Sequence, residues 1–193
     1  MNQRLRLDES GTTLVEVALA AALLLAISAA LVSVMVSFSS AEQEIGARID
    51  GAATVASALD EIASDLSAAN GLLAGAPSAT MDSALGFSLP ERDESRQIWI
   101  ERDEDGHLTR RTVDRMGERS TRLLAGGSPI DDLSFSYATA SGVSLVPGID
   151  AAHVIARCAA LVNVSVELTH DGARSQGQRT VALRNADPGV EPC

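Results

Sequence analysis

Lysine is absent from this 193-residue chain, and aromatic residues make up only 3% of it. All 15 basic residues are therefore arginines, and the 26 acidic residues give the chain a formal net charge of −11. An acidic surface repels phosphate backbones, and so few aromatic rings leave little surface on which bases can stack. We therefore expect no direct nucleic-acid binding.

Cysteine is equally scarce, since the chain contains only Cys158 and Cys193. If this part of the chain lies outside the cytoplasm, the two cysteines can form a disulfide that ties residue 193 back to the domain. Two free thiols agree equally well with the sequence, because sequence alone does not show whether the cysteines are close in space.

One long block near the N-terminus contains almost no charged residues. A polar leader at residues 1–11 precedes the apolar run TTLVEVALAAALLLAISAALVSVMV, which occupies residues 12–36. The only ionisable residue in this run is Glu16. At about 1.5 Å per residue, a helix of this length spans roughly the 30 Å hydrocarbon core of a bilayer. The run therefore predicts a single membrane-spanning helix.

The arginines around this helix predict its orientation. Arg4 and Arg6 precede the apolar run, and the next basic residue is Arg48. By the positive-inside rule, the N-terminus stays in the cytoplasm and the bulk of the chain is exported. We therefore expect the protein in the cytoplasmic (inner) membrane, with an extracytoplasmic head.

The apolar run has two alternative interpretations, a secretory signal peptide and a plain membrane anchor. A secretory signal peptide cleaved near Ser28–Ala30 would have an unusually long apolar region. A plain membrane anchor leaves Glu16 unexplained, because a carboxylate costs up to about 3 kcal/mol at the bilayer centre and is usually functional when it is kept.

The residues Gly11-Thr12-Thr13-Leu14-Val15-Glu16 resemble the type III signal of type IV prepilins. That signal usually reads glycine, phenylalanine, threonine, leucine, any residue and glutamate, so Thr12 departs from it. The resemblance covers the leader, the cleavage glycine and the apolar helix. It implies cleavage after Gly11 by an aspartyl prepilin peptidase and N-methylation of Thr12.

The physics of this signal agrees with an assembly role for Glu16. Cleavage after Gly11 leaves an ammonium group on Thr12, which a neighbouring subunit can place against Glu16 inside an apolar filament core. Either charge alone is costly in low dielectric, whereas the pair is tolerated and sets the register between subunits. The resemblance also implies as partners other pilin or pseudopilin subunits, an inner-membrane assembly platform and the lipid bilayer.

The apolar helix is predicted to continue as an amphipathic helix over residues 37–75. Steps of three and four residues place apolar side chains on one helical face: Ile45, Ile49, Ala52, Ala56, Leu59, Ile62, Leu66, Ala69 and Leu73. Gly46 and Gly51 are candidate bending sites. Asn70-Gly71 and Gly75-Ala76-Pro77 predict the end of the helix.

Residues 76–193 predict a β-rich head. Alternating or β-branched runs favour strands at residues 84–89, 96–102, 107–113, 130–138, 160–169 and 179–184. Asp105-Gly106 predicts a hairpin, and Asp171-Gly172 predicts a turn. The expected fold class is α+β and type IV pilin-like, a long N-terminal helix packed against a C-terminal antiparallel sheet.

The head also resembles the minor pseudopilin of the J class in type II secretion. The features that carry this resemblance are the hairpin at Asp105-Gly106, the strand Leu133-Ser134-Phe135-Ser136-Tyr137 ending near Gly142, and the segment Val181–Asn185. The resemblance implies a place at the filament tip among other minor subunits.

Several groups of residues are of types that bind metals or catalyse reactions in other proteins. The acidic group Glu101, Asp103, Glu104 and Asp105 lacks the spacing of an EF-hand, so a solvated hairpin is favoured over a calcium site. The three histidines fall in no short ligand or nucleophile motif, and the glycine-rich residues 126–129 predict a plain turn. We therefore expect no cofactor, no metal and no enzymatic activity.

An arginine-rich segment predicts a balanced, exposed strand and loop, with a partner-binding patch as the alternative. Its basic residues are Arg110, Arg111, Arg115, Arg119 and Arg122. The sequence as a whole thus predicts a minor pilin or pseudopilin, and the alternative is a membrane-anchored extracytoplasmic binding protein that does not polymerise.

Overall fold

The computed structural model describes residues 14–74, 83–91, 94–114 and 116–184. The chain divides into two compact units, Met1–Ile45 and Gly46–Cys193. The first unit is described from Leu14 onward and is helical throughout. The second carries the two β-sheets and the hydrophobic core.

The N-terminal helix, α1, extends over Leu14–Ser67 without a break at Gly46 or Gly51. Alanine and leucine dominate it, and both are strong helix formers. The helix ends at Ser67, three residues before Asn70, whose backbone N–H donates to Ser88 O at 2.8 Å. The backbone therefore leaves the helix because it joins a sheet, and the predicted helical segment to residue 75 was too long.

A five-stranded antiparallel sheet follows the helix. Its strands, in both chain and spatial order, are β1 (Gly71–Leu72), β2 (Ala84–Glu91), β3 (Glu94–Arg102), β4 (Leu108–Val113) and β5 (Arg119–Leu123). Asp105-Gly106 lies in the turn between β3 and β4, as predicted, and Gly106 takes a φ of 84° that favours glycine. The sheet is thus a simple meander in which β5 is an edge strand.

A second antiparallel sheet of four strands completes the head. It comprises β6 (Asp132–Ala138), β7 (Ser144–Leu145), β8 (Leu161–His170) and β9 (Ala173–Ala182), in the spatial order β7-β6-β8-β9. Asp171 and Gly172, with φ of 47° and 79°, join β8 to β9 in a tight hairpin turn, as predicted. A short helix, α2 (Ala152–Cys158), precedes β8.

One hydrophobic core joins both sheets to the C-terminal part of α1. Ile62 and Leu66 of the helix are fully buried, as are Phe87 of the first sheet and Val162 of the second. The side chains of β8 alternate between partly and fully buried along most of the strand, as expected for a strand with one face on the core. The long apolar helix followed by antiparallel sheets confirms the α+β class.

Between residues 45 and 55, the buried face of α1 differs from the face that the sequence predicts. Ile45 and Ile49 are 58% and 62% exposed, whereas Ala47, Gly51 and Val55 are buried. A Cβ on Gly51 would lie 2.5 Å from Ser175 Oγ in β9. The helix therefore turns Gly51 toward Ser175 of the strand, because a side chain there would leave no room for so close an approach.

The head also contains elements that the sequence did not predict. The expected single sheet is two sheets, α2 and the short strands β1 and β7 were not foreseen, and β9 begins at Ala173 instead of residue 179. The segment Arg174–Gln178 is polar, so it has no apolar alternation to mark it as a strand. Its pairing with β8 identifies it instead.

Candidate functional site

The apolar part of α1 is the first candidate site. Every residue from Leu14 to Ile45 is exposed within its unit, including Leu14 at 87% and Phe38 at 75%. An 18-residue window reaches a mean hydropathy of 2.6, so the helix is long and apolar enough to cross a membrane. It is the only such helix in the described part of the chain. Exposed apolar surfaces of this size are typical of segments that contact lipid or another protein.

Two serine hydroxyl groups of this segment are hydrogen-bonded within the helix. Ser37 Oγ donates to Ser33 O at 2.9 Å, and Ser40 Oγ donates to Val36 O at 3.1 Å. Such back-bonding lowers the cost of placing hydroxyl groups in an apolar medium. The serines therefore do not conflict with burial of this segment in lipid or in a filament core.

Glu16 lies in the first turn of α1 and is exposed. The described residues of its unit, Leu14–Ile45, include no lysine or arginine. No cation of that segment can therefore pair with Glu16 in an apolar medium. Gly11 and Thr12, the predicted cleavage and methylation residues, lie outside the described residues, and their roles stay predictions.

Three arginines of the head reach carboxylates near the C-terminal end of α1. Arg110 Nε of β4 lies 2.6 Å from Asp65 Oδ2, and both side chains are about four-fifths buried. The other two pairs are more exposed: Arg122 of β5 with Glu61, at 3.1 Å, and Arg179 of β9 with Asp60. Both sheets are therefore attached to the helix by ion pairs as well as by the core.

Two more arginines pair with carboxylates on the sheets themselves. Arg111 Nη2 lies 2.9 Å from Glu101 Oε1. Arg174 Nη2 donates to Glu167 Oε2 at 2.6 Å, and this hydrogen bond together with the charge of Glu167 raises the pKa of Arg174. Arg110 and Arg122 of the arginine-rich segment thus have acidic partners on α1, and Arg111 has one on β3. Arg115 lies outside the described residues.

A mixed donor cluster lies at the turn between β3 and β4. One donor atom each from Asp103, Asp105 and His107 lies within 4.8 Å of the other two. Glu101, which the sequence grouped with these acids, turns to Arg111 instead. No short ligand motif marks His107 in the sequence, although its position two and four residues after the aspartates, across a predicted tight turn, is a usable signal.

Cys158, at the C-terminal end of α2, is disulfide-bonded. The other cysteine of the chain, Cys193, lies outside the described residues. The pairing of these two cysteines stays a prediction.

Two open grooves on the head are lined by polar and small side chains. The larger, of about 450 Å³, lies between α1 and β9, and the smaller, of about 310 Å³, lies beside β4 and β5. The residues that line them include no histidine or cysteine. Their chemistry is that of charged pairs and hydroxyl groups.

Neither a protein-family model nor a curated protein sequence matches this chain.

Proposed function

We propose that the chain is a structural subunit, a minor pilin or pseudopilin, of a type IV pilus or a type II secretion filament. A prepilin peptidase removes residues 1–11, and the mature subunit assembles through its N-terminal helix. The observation that carries this proposal is Glu16, a carboxylate at the start of an exposed apolar helix that carries no cation before Arg48.

The charge on Glu16 favours an assembled state over a plain anchor. A lone carboxylate is costly in an apolar medium, and the cost is relieved when a cation pairs with it. Cleavage after Gly11 creates such a cation, the ammonium group of Thr12, four residues before Glu16. On a neighbouring subunit displaced along the filament, this ammonium group meets Glu16 and determines the stagger between the helices.

The head is compatible with this role. The C-terminal third of α1 is covered by two antiparallel sheets, while the apolar part up to Ile45 has no cover within its unit. Such a chain has one helix segment committed to its own core and one that requires an external partner. A membrane holds this segment before assembly, and other pilin or pseudopilin helices hold it in the filament, with the assembly platform moving it between the two.

Processing is tested by intact mass and N-terminal sequencing of the membrane-extracted chain, with and without a prepilin peptidase. We expect a mature form that begins at Thr12 only when the peptidase is present. Gly11→Val, which places a branched side chain at the cleavage site, should retain residues 1–11. An unprocessed Met1 start in both samples, or cleavage near residue 30, would contradict the proposal.

Assembly is tested separately with Glu16→Ala in cells that contain the partner subunits. We expect normal membrane insertion but no crosslinking of the helix to other subunits. Glu42→Ala is the matched control, because it removes the same charge from the same helix outside the apolar run. If Glu16→Ala crosslinks like the wild type and Glu42→Ala, Glu16 does not direct assembly. If the wild type itself gives no crosslink to other subunits, the chain is instead an anchored binding protein that does not polymerise.

A further inference from the structure

The turn between β3 and β4 holds the only group of three convergent metal-ligating side chains found among the described residues. Asp103 and His107 face each other across the turn, with 3.6 Å between Asp103 Oδ1 and His107 Nδ1, and Asp105 lies between them in sequence. A tetrahedral zinc ion with ligand bonds of about 2.1 Å separates its ligand atoms by roughly 3.4 Å. The observed separation is thus close to a metal–ligand edge and too long for a hydrogen bond.

The backbone of this turn is held by four hydrogen bonds. Asp103 N–H donates to His107 O at 2.9 Å, and Gly106 N–H donates to Asp103 O at 3.1 Å. His107 N–H donates to Asp103 Oδ1 at 2.6 Å, and Ile130 N–H donates to Gly106 O at 2.7 Å. The backbone of the turn and the Asp103 carboxylate are therefore positioned before any ligand arrives, which lowers the entropy cost of binding.

The charge around the turn favours a cation. Asp103, Glu104 and Asp105 bring three carboxylates, and the Arg102 guanidinium lies beside Gly106 in the same turn. The side chains of Asp103 and His107 are 34% and 30% exposed, so water can complete the coordination of a bound ion. Two carboxylates and one imidazole form a mixed oxygen and nitrogen donor set.

We propose that Asp103, Asp105 and His107 bind a divalent transition-metal ion of the Zn²⁺ class and so cross-link the β3–β4 hairpin. The imidazole decides the class, because Zn²⁺ accepts nitrogen ligands whereas Ca²⁺ takes oxygen ligands almost exclusively. This site belongs to the head, so it does not depend on the assembly role of the helix.

The test is calorimetric titration of Zn²⁺ into the full chain in detergent, after stripping with a chelator and without a histidine tag. We expect one equivalent of Zn²⁺ to bind. His107→Gln and Asp105→Asn should each weaken binding at least about tenfold, since loss of an outer-shell partner alone costs this much. Co²⁺ in place of Zn²⁺ should give visible absorption bands in the wild type that His107→Gln loses.

His170→Gln is the matched control. His170 Nε2 lies 3.7 Å from an Asp171 carboxylate oxygen, a similar histidine–aspartate pair that belongs to no group of three donors among the described residues. This variant should bind Zn²⁺ like the wild type. The fluorescence of Trp99, a buried residue of β3, checks that each variant is folded.

Four results would overturn the site, and the first three concern the metal and its ligands. They are absence of Zn²⁺ binding, Zn²⁺ affinity that survives both His107→Gln and Asp105→Asn in folded protein, and Ca²⁺ binding of equal strength that does not depend on His107. Equal losses in His107→Gln and His170→Gln would also refute it, since they would indicate nonspecific binding to scattered histidines.

Discussion

Two glycines of α1, five residues apart, offer a matched test of how the helix packs on the head. A Cβ added at Gly46 would have no atom within 4 Å, whereas a Cβ added at Gly51 would lie 2.5 Å from Ser175 Oγ and 3.2 Å from Ser175 Cβ. Both glycines have helical backbone geometry. Both variants, Gly46→Ala and Gly51→Ala, gain helix propensity. Only Gly51→Ala also creates a steric clash, with Ser175.

The magnitudes follow from these contacts. Replacing glycine by alanine inside a helix stabilises it by about 0.8–1 kcal/mol. Overpacking a well-filled interface by one methyl group costs about 1–3 kcal/mol, and the 3.2 Å contact with Ser175 Cβ cannot be relieved by rotating the hydroxyl group alone. Gly46→Ala should stabilise the head by about 1 kcal/mol, and Gly51→Ala should destabilise it by about 0–2 kcal/mol.

The assay is denaturant or thermal unfolding of the full chain in detergent, followed by the fluorescence of Trp99. This residue is the only tryptophan and is 6% exposed in β3, so its signal reports on the head and not on the apolar segment. For 150–250 residues, 1 kcal/mol shifts Tm by about 2–4 °C. Adding Ser175→Gly to Gly51→Ala removes both clashing atoms and should restore much of the lost stability in a double-mutant cycle.

The packing of α1 on β9 would be refuted if Gly51→Ala stabilised the head as much as Gly46→Ala does. The same conclusion would follow if Ser175→Gly affected Gly51→Ala and the wild type equally, because residues in contact show a coupling energy and distant residues do not.

Two further predictions use the same fluorescence assay. Asp65→Asn leaves the mostly buried Arg110 without its anion and should cost about 1–2 kcal/mol, whereas Glu61→Gln, whose partner is 70% exposed, should cost less than about 0.5 kcal/mol. Equal effects would show that burial of the ion pair does not matter. Ile62→Ala removes a fully buried side chain and should cost about 2–5 kcal/mol, while Ile49→Ala, at an exposed position, should change stability by less than about 0.5 kcal/mol. A large effect at Ile49 with none at Ile62 would mean that the helix buries the opposite face.

The local patterns of the sequence determined the existence and type of most elements. An apolar run with a single charge predicts a long helix whatever follows it, because backbone hydrogen bonds must be satisfied within the segment. Asp105-Gly106 and Asp171-Gly172 predict turns for a reason that is also local, the ease with which glycine adopts positive φ. Apolar alternation likewise identified β8, since a strand with one face on the core repeats every two residues.

The tertiary structure decided which of several local possibilities was used. The sequence offered Ile45 and Ile49 as the buried face of α1, but the close approach of β9 selects Gly51 and Val55, because an added methyl group at Gly51 would clash with Ser175. The periodicity of the helix sequence does not show where that strand packs.

The tertiary structure also decided which charged residues form ion pairs. Asp65 and Arg110 are separated by 45 residues, and Asp60 and Arg179 by 119, so charge patterns along the chain could not match them. The approach of His107 to Asp103 and Asp105 could be predicted from the sequence, since it spans five residues and one predicted turn.

The sequence by itself thus determined the apolar helix, the turns and the position of Glu16, because these depend on neighbours along the chain. Only the tertiary structure decided the second sheet, the buried helical face and the pairing of charges, because these depend on segments that meet in space.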